Sequence, residues 1–384
     1  NCTTVCFKKC KFYNIETYKG PVLFFSRNTA VHFKYCLFMN MNISGHVIRT
    51  EYLGFISVSH VVINDITNSG VNIAEYSYFF DMIFTKLVVI RNLKLKNLAL
   101  SAMHFSAIMK IKLVKTKFIS CNCPMKVVMH ASNVFTKLVI EAGKFYSCSC
   151  QSQGGSVRII LPSKFFSKLH RNKMIGNDGH FPQQASVNVK DTIFIKCSSE
   201  LEGGALAIGH YPGHNKILKF PVAIFISNSS FYNNTSERQG GALYVSYTNL
   251  FFIKHCRFIF NKASTGGALY LSQTNNFQIY NTSHISNRAS SCGGAFYLLF
   301  ISINKINNCI FLKNSAASNK KPGGGICSYF SEQVSCFNCI FVHNGIKTVG
   351  RSAIFITRCA FTNNTISHHS AVIHVTASQI VKIE

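Results

Sequence analysis

Residues 240–261 read GGALYVSYTNLFFIKHCRFIFN, and both halves of that stretch return down the chain at a fixed distance. The second half holds Cys-x-Phe-x-x-Asn, found at Cys256/Phe258/Asn261, Cys309/Phe311/Asn314, Cys339/Phe341/Asn344 and Cys359/Phe361/Asn364. Looser copies centre on Phe12, Phe38, Val62, Ile90, Phe118, Phe145, Met174, Phe194, Phe231 and His284. Phe12 and Phe361 are separated by thirteen steps averaging 26.8 residues, and periods of this size belong to stacked solenoid coils.

The first half runs in phase with it. Gly-Gly-Ala followed by alternating apolar residues occurs at Gly203/Gly204/Ala205, Gly240/Gly241/Ala242, Gly266/Gly267/Ala268 and Gly293/Gly294/Ala295, with degenerate copies at Gly20, Gly45, Gly70, Gly154/Gly155, Gly323/Gly324/Gly325 and Gly350. Glycine supplies a tight corner, and the next five or six residues alternate as a short strand. Leu250–Ile253 and Cys256–Phe260 supply two further strands, so about 27 residues make one rung of a parallel β-helix. A helical repeat is disfavoured, because no 3.6-residue amphipathic pattern survives and β-branched and aromatic residues dominate.

The pairing of GGA[LIF] with FxxN resembles the repeats of the chlamydial polymorphic outer-membrane proteins and of similar surface proteins in some unicellular eukaryotes. The resemblance covers about Gly203 to Asn364 and fades before it, where FxxN decays to forms such as Phe12-Tyr13-Asn14. It implies a right-handed β-helix at the cell surface or outside the cell, associated with adhesion. The family's autotransporter barrel has no counterpart in these residues.

With 384 residues, 47% of them hydrophobic and 13% aromatic, the chain can line one continuous core, and we expect a single domain of about 14 coils over 1–384, irregular near 145–231. Both ends fall inside coils, which predicts a segment of a longer protein. The longest apolar run, Leu98 to Val114, is interrupted by His104, Lys110 and Lys112, so no membrane-spanning helix is expected. Sequons at Asn1, Asn42, Asn228, Asn233, Asn234, Asn281 and Asn363 are compatible with a secretory route, although several fall where the fold wants a turn.

Cys10, Cys36, Cys256, Cys309, Cys339 and Cys359 each lie two residues before the motif position and hence on one strand face. Small apolar core residues stacked in a column is the first reading and disulfides between coils the second. Cys121-Asn122-Cys123 and Cys148-Ser149-Cys150 are offset by 27, which sets them side by side, but C-x-C spacing is poor for structural zinc and no metal or cofactor is expected. Asn234, Asn261, Asn314, Asn344 and Asn364 should stack at one turn, their amides satisfying backbone groups.

Forty Lys and Arg against thirteen Asp and Glu give a net charge of +27, spread over both halves. Lys86 to Lys126 holds nine basic residues and no acid, and Lys94/Lys96, Lys110/Lys112 and Lys115/Lys117 alternate as if each pair shared a strand face. The period places Lys110, Lys137, Lys164, Lys190 and Lys216 in one column, and Lys117, Lys144 and Arg171 in another. Like charges one rung apart repel by about 0.9 kcal/mol in bulk water, a cost that a bound polyanion relieves. The competing reading is ordinary lysine-rich solvation.

Tyr244, Tyr270 and Tyr297 repeat after Gly-Gly-Ala with parity opposite to Leu243, Leu269 and Phe296, either a ladder for sugar rings or a self-stacking stabiliser. Catalysis has little to build on, because glycoside hydrolysis needs two flanking carboxylates and calcium-dependent lyases need an acidic cluster. The nearest groupings are Glu200 and Glu202 with His210 and His214, and Asp178 with His180. No P-loop or dinucleotide fingerprint and no nucleic-acid recognition module is present. The sequence therefore predicts a non-enzymatic, extracellular or cell-surface adhesin-like protein binding an anionic glycan or other polyanion. A passive stalk ranks second and a polysaccharide-processing enzyme third.

Overall fold

The computed structural model describes residues 4–17, 20–27, 30–67, 77–123, 128–134, 136–160, 185–209, 222–317, 324–344, 346–349, 353–364, 373–376 and 380–383. All regular structure among them is β-strand, their strands pair in parallel, and the architecture is a parallel β-helix. Ladder one runs from Leu23–Ser26 to Ile373–Thr376, ladder two from Thr4–Lys8 to Ile380–Ile383, and ladder three from Lys11–Tyr13 to Ala360–Thr362. A short fourth ladder joins Lys117–Cys123, Ser149–Cys150, Ser198–Ser199, Thr235–Ser236, Lys262–Thr265, Arg288–Cys292 and Ser315–Ala316. In three coils ladders one and two fuse into the 12-residue strands Leu243–Lys254, Leu269–Tyr280 and Phe296–Asn307.

The motif phenylalanine fills the interior of ladder three. Phe118, Phe145, Phe194, Phe231, Phe258, His284, Phe311, Phe341 and Phe361 stack face to face at 4.6–5.0 Å, and Phe12 and Phe38 stack at 4.6 Å. Ile63 and Leu95 connect the two runs, being in register with Phe38 and Phe118. The expected centres at Val62 and Ile90 are thus corrected: Val62 lies one residue off, facing outward beside Lys94, and Ile90 belongs to ladder two. Both were interchangeable by composition, and only pairing distinguishes them. Phe145 pairs directly with Phe194, so the step between them is one coil, and Met174 lies outside the described residues.

The third position after the motif residue forms a second interior column, at the corner where ladder three ends. From the first coil on it reads Ile15, Met41, Ile66, Leu98, then Cys121, Cys148, Cys197, then Asn234, Asn261, Asn287, Asn314, Asn344, Asn364. In the amide section each Oδ1 accepts the backbone N–H of the coil before, at 2.9–3.0 Å from Cys197 through Asn314. Each Nδ2 donates to the carbonyl of the preceding coil's motif residue at 2.7–3.2 Å. The expected amide turn is present, with Asn287 as a further member and Asn14 not in it, since Ile15 holds that place.

Backbone turns at the corners use left-handed residues. Asn228 and Asn281 (φ 48° and 51°) sit between ladders two and three, and Asn233 and Asn363 (51° and 50°) end ladder three. Asparagine tolerates this region better than most residues, so these four sequons coincide with turns the fold itself requires. The Gly-Gly corner has a steric cause as well. A Cβ on Gly241 would lie 2.2 Å from the Gly267 carbonyl oxygen, because successive coils approach backbone to backbone there. No helix among the described residues is long and apolar enough to cross a membrane.

Candidate functional site

The basic face is carried by two adjoining ladders near the middle of the coil stack. On ladder three Lys94, Lys117 and Lys144 are in register on three consecutive coils, and Lys96 lies two residues on from Lys94. On ladder two Lys110 pairs with Lys137, and Lys112 follows Lys110 on the same outer face. Inward-facing Leu95 and Ile111 are fully buried between the lysines that flank them, which confirms the alternation. Lys115 occupies the corner joining the ladders, with φ 53° and its N–H on the Glu141 carbonyl at 2.9 Å. It therefore does not share a strand with Lys117, against the expected pairing, because the strand Lys110–Val114 ends one residue before it. Among the described residues none of these lysines forms an ion pair, and the Lys117 ammonium lies over the Tyr146 ring at 5.7 Å.

The longer lysine columns do not hold. Lys137 pairs with Ser186, and Lys190 pairs with Glu141 on one side and Ser227 on the other while its ammonium meets Asp191 at 3.6 Å. The cause is the single coil between Phe145 and Phe194, which a fixed period of 27 counts as two. Lys164, Arg171 and Lys216 lie outside the described residues, as do Asp178, His180, His210 and His214. Glu202 forms a backbone bridge with Gln239 at the Gly-Gly corner.

A second polar cluster has no periodic signal in the sequence. One outward position of ladder one reads Arg49, Asp81, His104, His130, Arg158, Ala207, Tyr244, Tyr270 and Tyr297 along the axis. Asp81 is 3% exposed. His104 donates from Nδ1 to its Oδ1 at 2.7 Å, and His46 Nε2 and Arg49 Nε approach Oδ2 at 3.5 and 3.7 Å. Burial pushes the Asp81 carboxyl up, but the bond from His104 and the charges of His104, His46 and Arg49 outweigh it and leave it below the ordinary carboxylate range. Arg49 also donates through Nη2 to Glu51 at 2.7 Å, and Tyr78 stacks on His46 and His104 at 5.7 and 4.6 Å. Residues from three consecutive coils at unequal spacing converge here, so only the register reveals them.

The tyrosines stack on one another at 5.4 and 5.2 Å, and Tyr329 extends the series at 5.4 Å. Tyr270 is only 6% exposed, and burial pushes its hydroxyl pKa up. Of the two readings of this repeat, the geometry is that of a self-stacked, half-buried column. Cys123 pairs with Cys150, and Cys148 lies against Cys121 and Cys197. Burial pushes the Cys123 and Cys197 thiols up, so they behave as core groups. A disulfide joins Cys292 and Cys327, outside the expected cysteine column. Among the described residues no group of three or more His, Cys, Asp or Glu is placed to hold a metal ion.

Fold and repeat together define a parallel β-helix with a repeat of the polymorphic-membrane-protein type. Residues 228–246 match the Chlamydia polymorphic membrane protein repeat. No curated protein matches the chain. Among solved structures, the Azotobacter vinelandii mannuronan C-5 epimerase AlgE6 A-module is similar over 98% of this chain and 91% of its own, at 10% identity and a TM-score of 0.34.

Proposed function

We propose that this protein is a surface-displayed or secreted β-helix that holds an anionic partner, a sulfated or sialylated glycan being the best fit, on the corner formed by ladders two and three. The observation that carries this is the in-register set Lys94, Lys117 and Lys144 beside Lys110 and Lys137, unneutralised by acids among the described residues. Ammonium groups one rung apart repel, and a polymer bearing regularly spaced anions lowers that energy and is steered in by the +27 charge. The polymorphic-membrane-protein repeat supports display at a cell surface. No turnover of the bound glycan is part of this reading.

Elution from immobilised heparin is the test. Retention should fall steeply with salt, and Lys117→Glu with Lys144→Glu should reduce it more than Lys254→Glu with Lys313→Glu, two exposed lysines on distant coils. Equal losses would reduce the effect to bulk charge, and salt-independent retention would leave a passive stalk.

A further inference from the structure

Past the corner that ends ladder three, the surface along the short fourth ladder is concave and encloses about 700 Å³. Its shape follows from its floor. Interior positions that carry phenylalanine on ladder three carry the small residues Cys150, Ser199, Ser236 and Ala263 here. One wall is a column of hydrogen-bonding groups in register on consecutive coils, Asn122, Ser149, Ser198, Thr235 and Lys262. The other is lined by Gln151, Glu200, Glu237 and Ser290.

Two aromatic rings lie on the corner that leads into the Thr235 and Lys262 wall. Phe260, two residues before Lys262, is 48% exposed and held at φ 56°, and Tyr232 is 39% exposed with its ring 5.6 Å from that of Phe260. Other residues at this corner are polar, among them Asn97, Ser120, Ser147, Lys196, Asn233, Ser286, Lys313 and His343. A phenylalanine there bears both conformational strain and exposed apolar surface. A ligand that covers the ring recovers the second.

We propose that this groove binds an uncharged linear glycan lying along the axis, about one sugar per coil, with a ring stacked on Phe260. Rungs about 4.8 Å apart are close to the length of one pyranose unit in an extended chain. Serine, threonine and asparagine at each rung exchange hydrogen bonds with sugar hydroxyls, and an aromatic face at that corner suits the apolar face of the ring. Charge selects the class: Glu200 and Glu237 against Lys262 leave the groove slightly negative, so an acidic polymer is directed to the lysine corner instead.

Calorimetric titration of the purified chain with cellohexaose, xylohexaose, mannohexaose and chitohexaose, and with the matching disaccharides, tests this. At least one hexamer should bind about tenfold or more tighter than its disaccharide, with no change at high salt. Phe260→Ser, an exposed-corner change that leaves the core intact, and Ser198→Tyr, which fills the groove, should each weaken binding about tenfold. Neither should lower the melting temperature, and both should leave heparin elution unaltered. Absence of binding by every hexamer at millimolar concentration, unchanged affinity in both variants, or displacement of the hexamer by a heparin fragment would overturn the proposal.

Discussion

The side-chain oxygen of Asn314 accepts two hydrogen bonds from Asn287, one from its backbone N–H at 3.0 Å and one from its Nδ2 at 2.8 Å. The Asn314 amide in turn donates to the His284 carbonyl at 2.8 Å. Truncation to alanine takes these bonds from the buried Asn287 N–H and the His284 carbonyl, each costing about 1–3 kcal/mol, while the Asn287 amide keeps its bond to the Phe258 carbonyl. Asn314→Ala should therefore destabilise the fold by roughly 3 kcal/mol or more, read from urea unfolding. Asn363→Ala, beside the ladder on an exposed turn, should cost only about 1 kcal/mol, the backbone cost of its φ of 50°.

Gly241→Ala places a methyl 2.2 Å from one carbonyl oxygen and 2.5 Å from that of Lys262. Neither atom is the end of a flexible side chain, so coils must separate. We expect loss of soluble folded protein, or a fall of several degrees in melting temperature. Gly20→Ala, whose added Cβ meets nothing within 4 Å, should show only the cost of its φ of 82°.

His284 takes the place of the motif phenylalanine, stacked between Phe258 and Phe311 at 4.9 and 5.0 Å and bonded to the Thr282 hydroxyl at 2.9 Å. Burial holds its pKa down to about 3, against an ordinary value of 6.5. The unfolded chain thus binds a proton more readily, so stability is complete above about pH 6.5 and falls on acidification towards 3. The loss should reach roughly 2 kcal/mol at pH 5. His284→Phe should abolish this slope in denaturant titrations at pH 7.5 and 5, and a slope that persists would place the titration elsewhere.

Asp81 has the opposite chemistry and the same sign. Its lowered carboxyl pKa makes it stabilising above the ordinary carboxylate range, and the contribution disappears as pH falls through the folded value. Asp81→Asn should cost about 3 kcal/mol at pH 7, since it breaks a buried charged cluster, and wild type and variant should converge as acid protonates the folded carboxyl.

Most of the fold was legible in the sequence, because each coil repeats two constraints that few residues satisfy: glycine at a close approach and a flat ring in a stack. What was not legible came from counting. A fixed period of 27 supplied a coil between Phe145 and Phe194 that the chain does not make, and so extended the lysine column past Lys137. The corner column was hidden for another reason. Cys121, Cys148 and Cys197 occupy the asparagine position, and Phe-x-x-Cys was visible at each, but thiol and amide do not look alike as letters. The Asp81 cluster had no signal, since its members are brought together by register alone.

Phe145 and Phe194 are 49 residues apart and Phe341 and Phe361 only 20, yet each pair is a single stacked step of 4.7–4.8 Å. Height is therefore counted in rings and is indifferent to how much chain each turn spends sideways. Residues can be gained or lost between ladders, altering what the flank presents, while every coil above keeps its elevation. For a molecule read from the side, that separates reach from recognition, so the two can change independently.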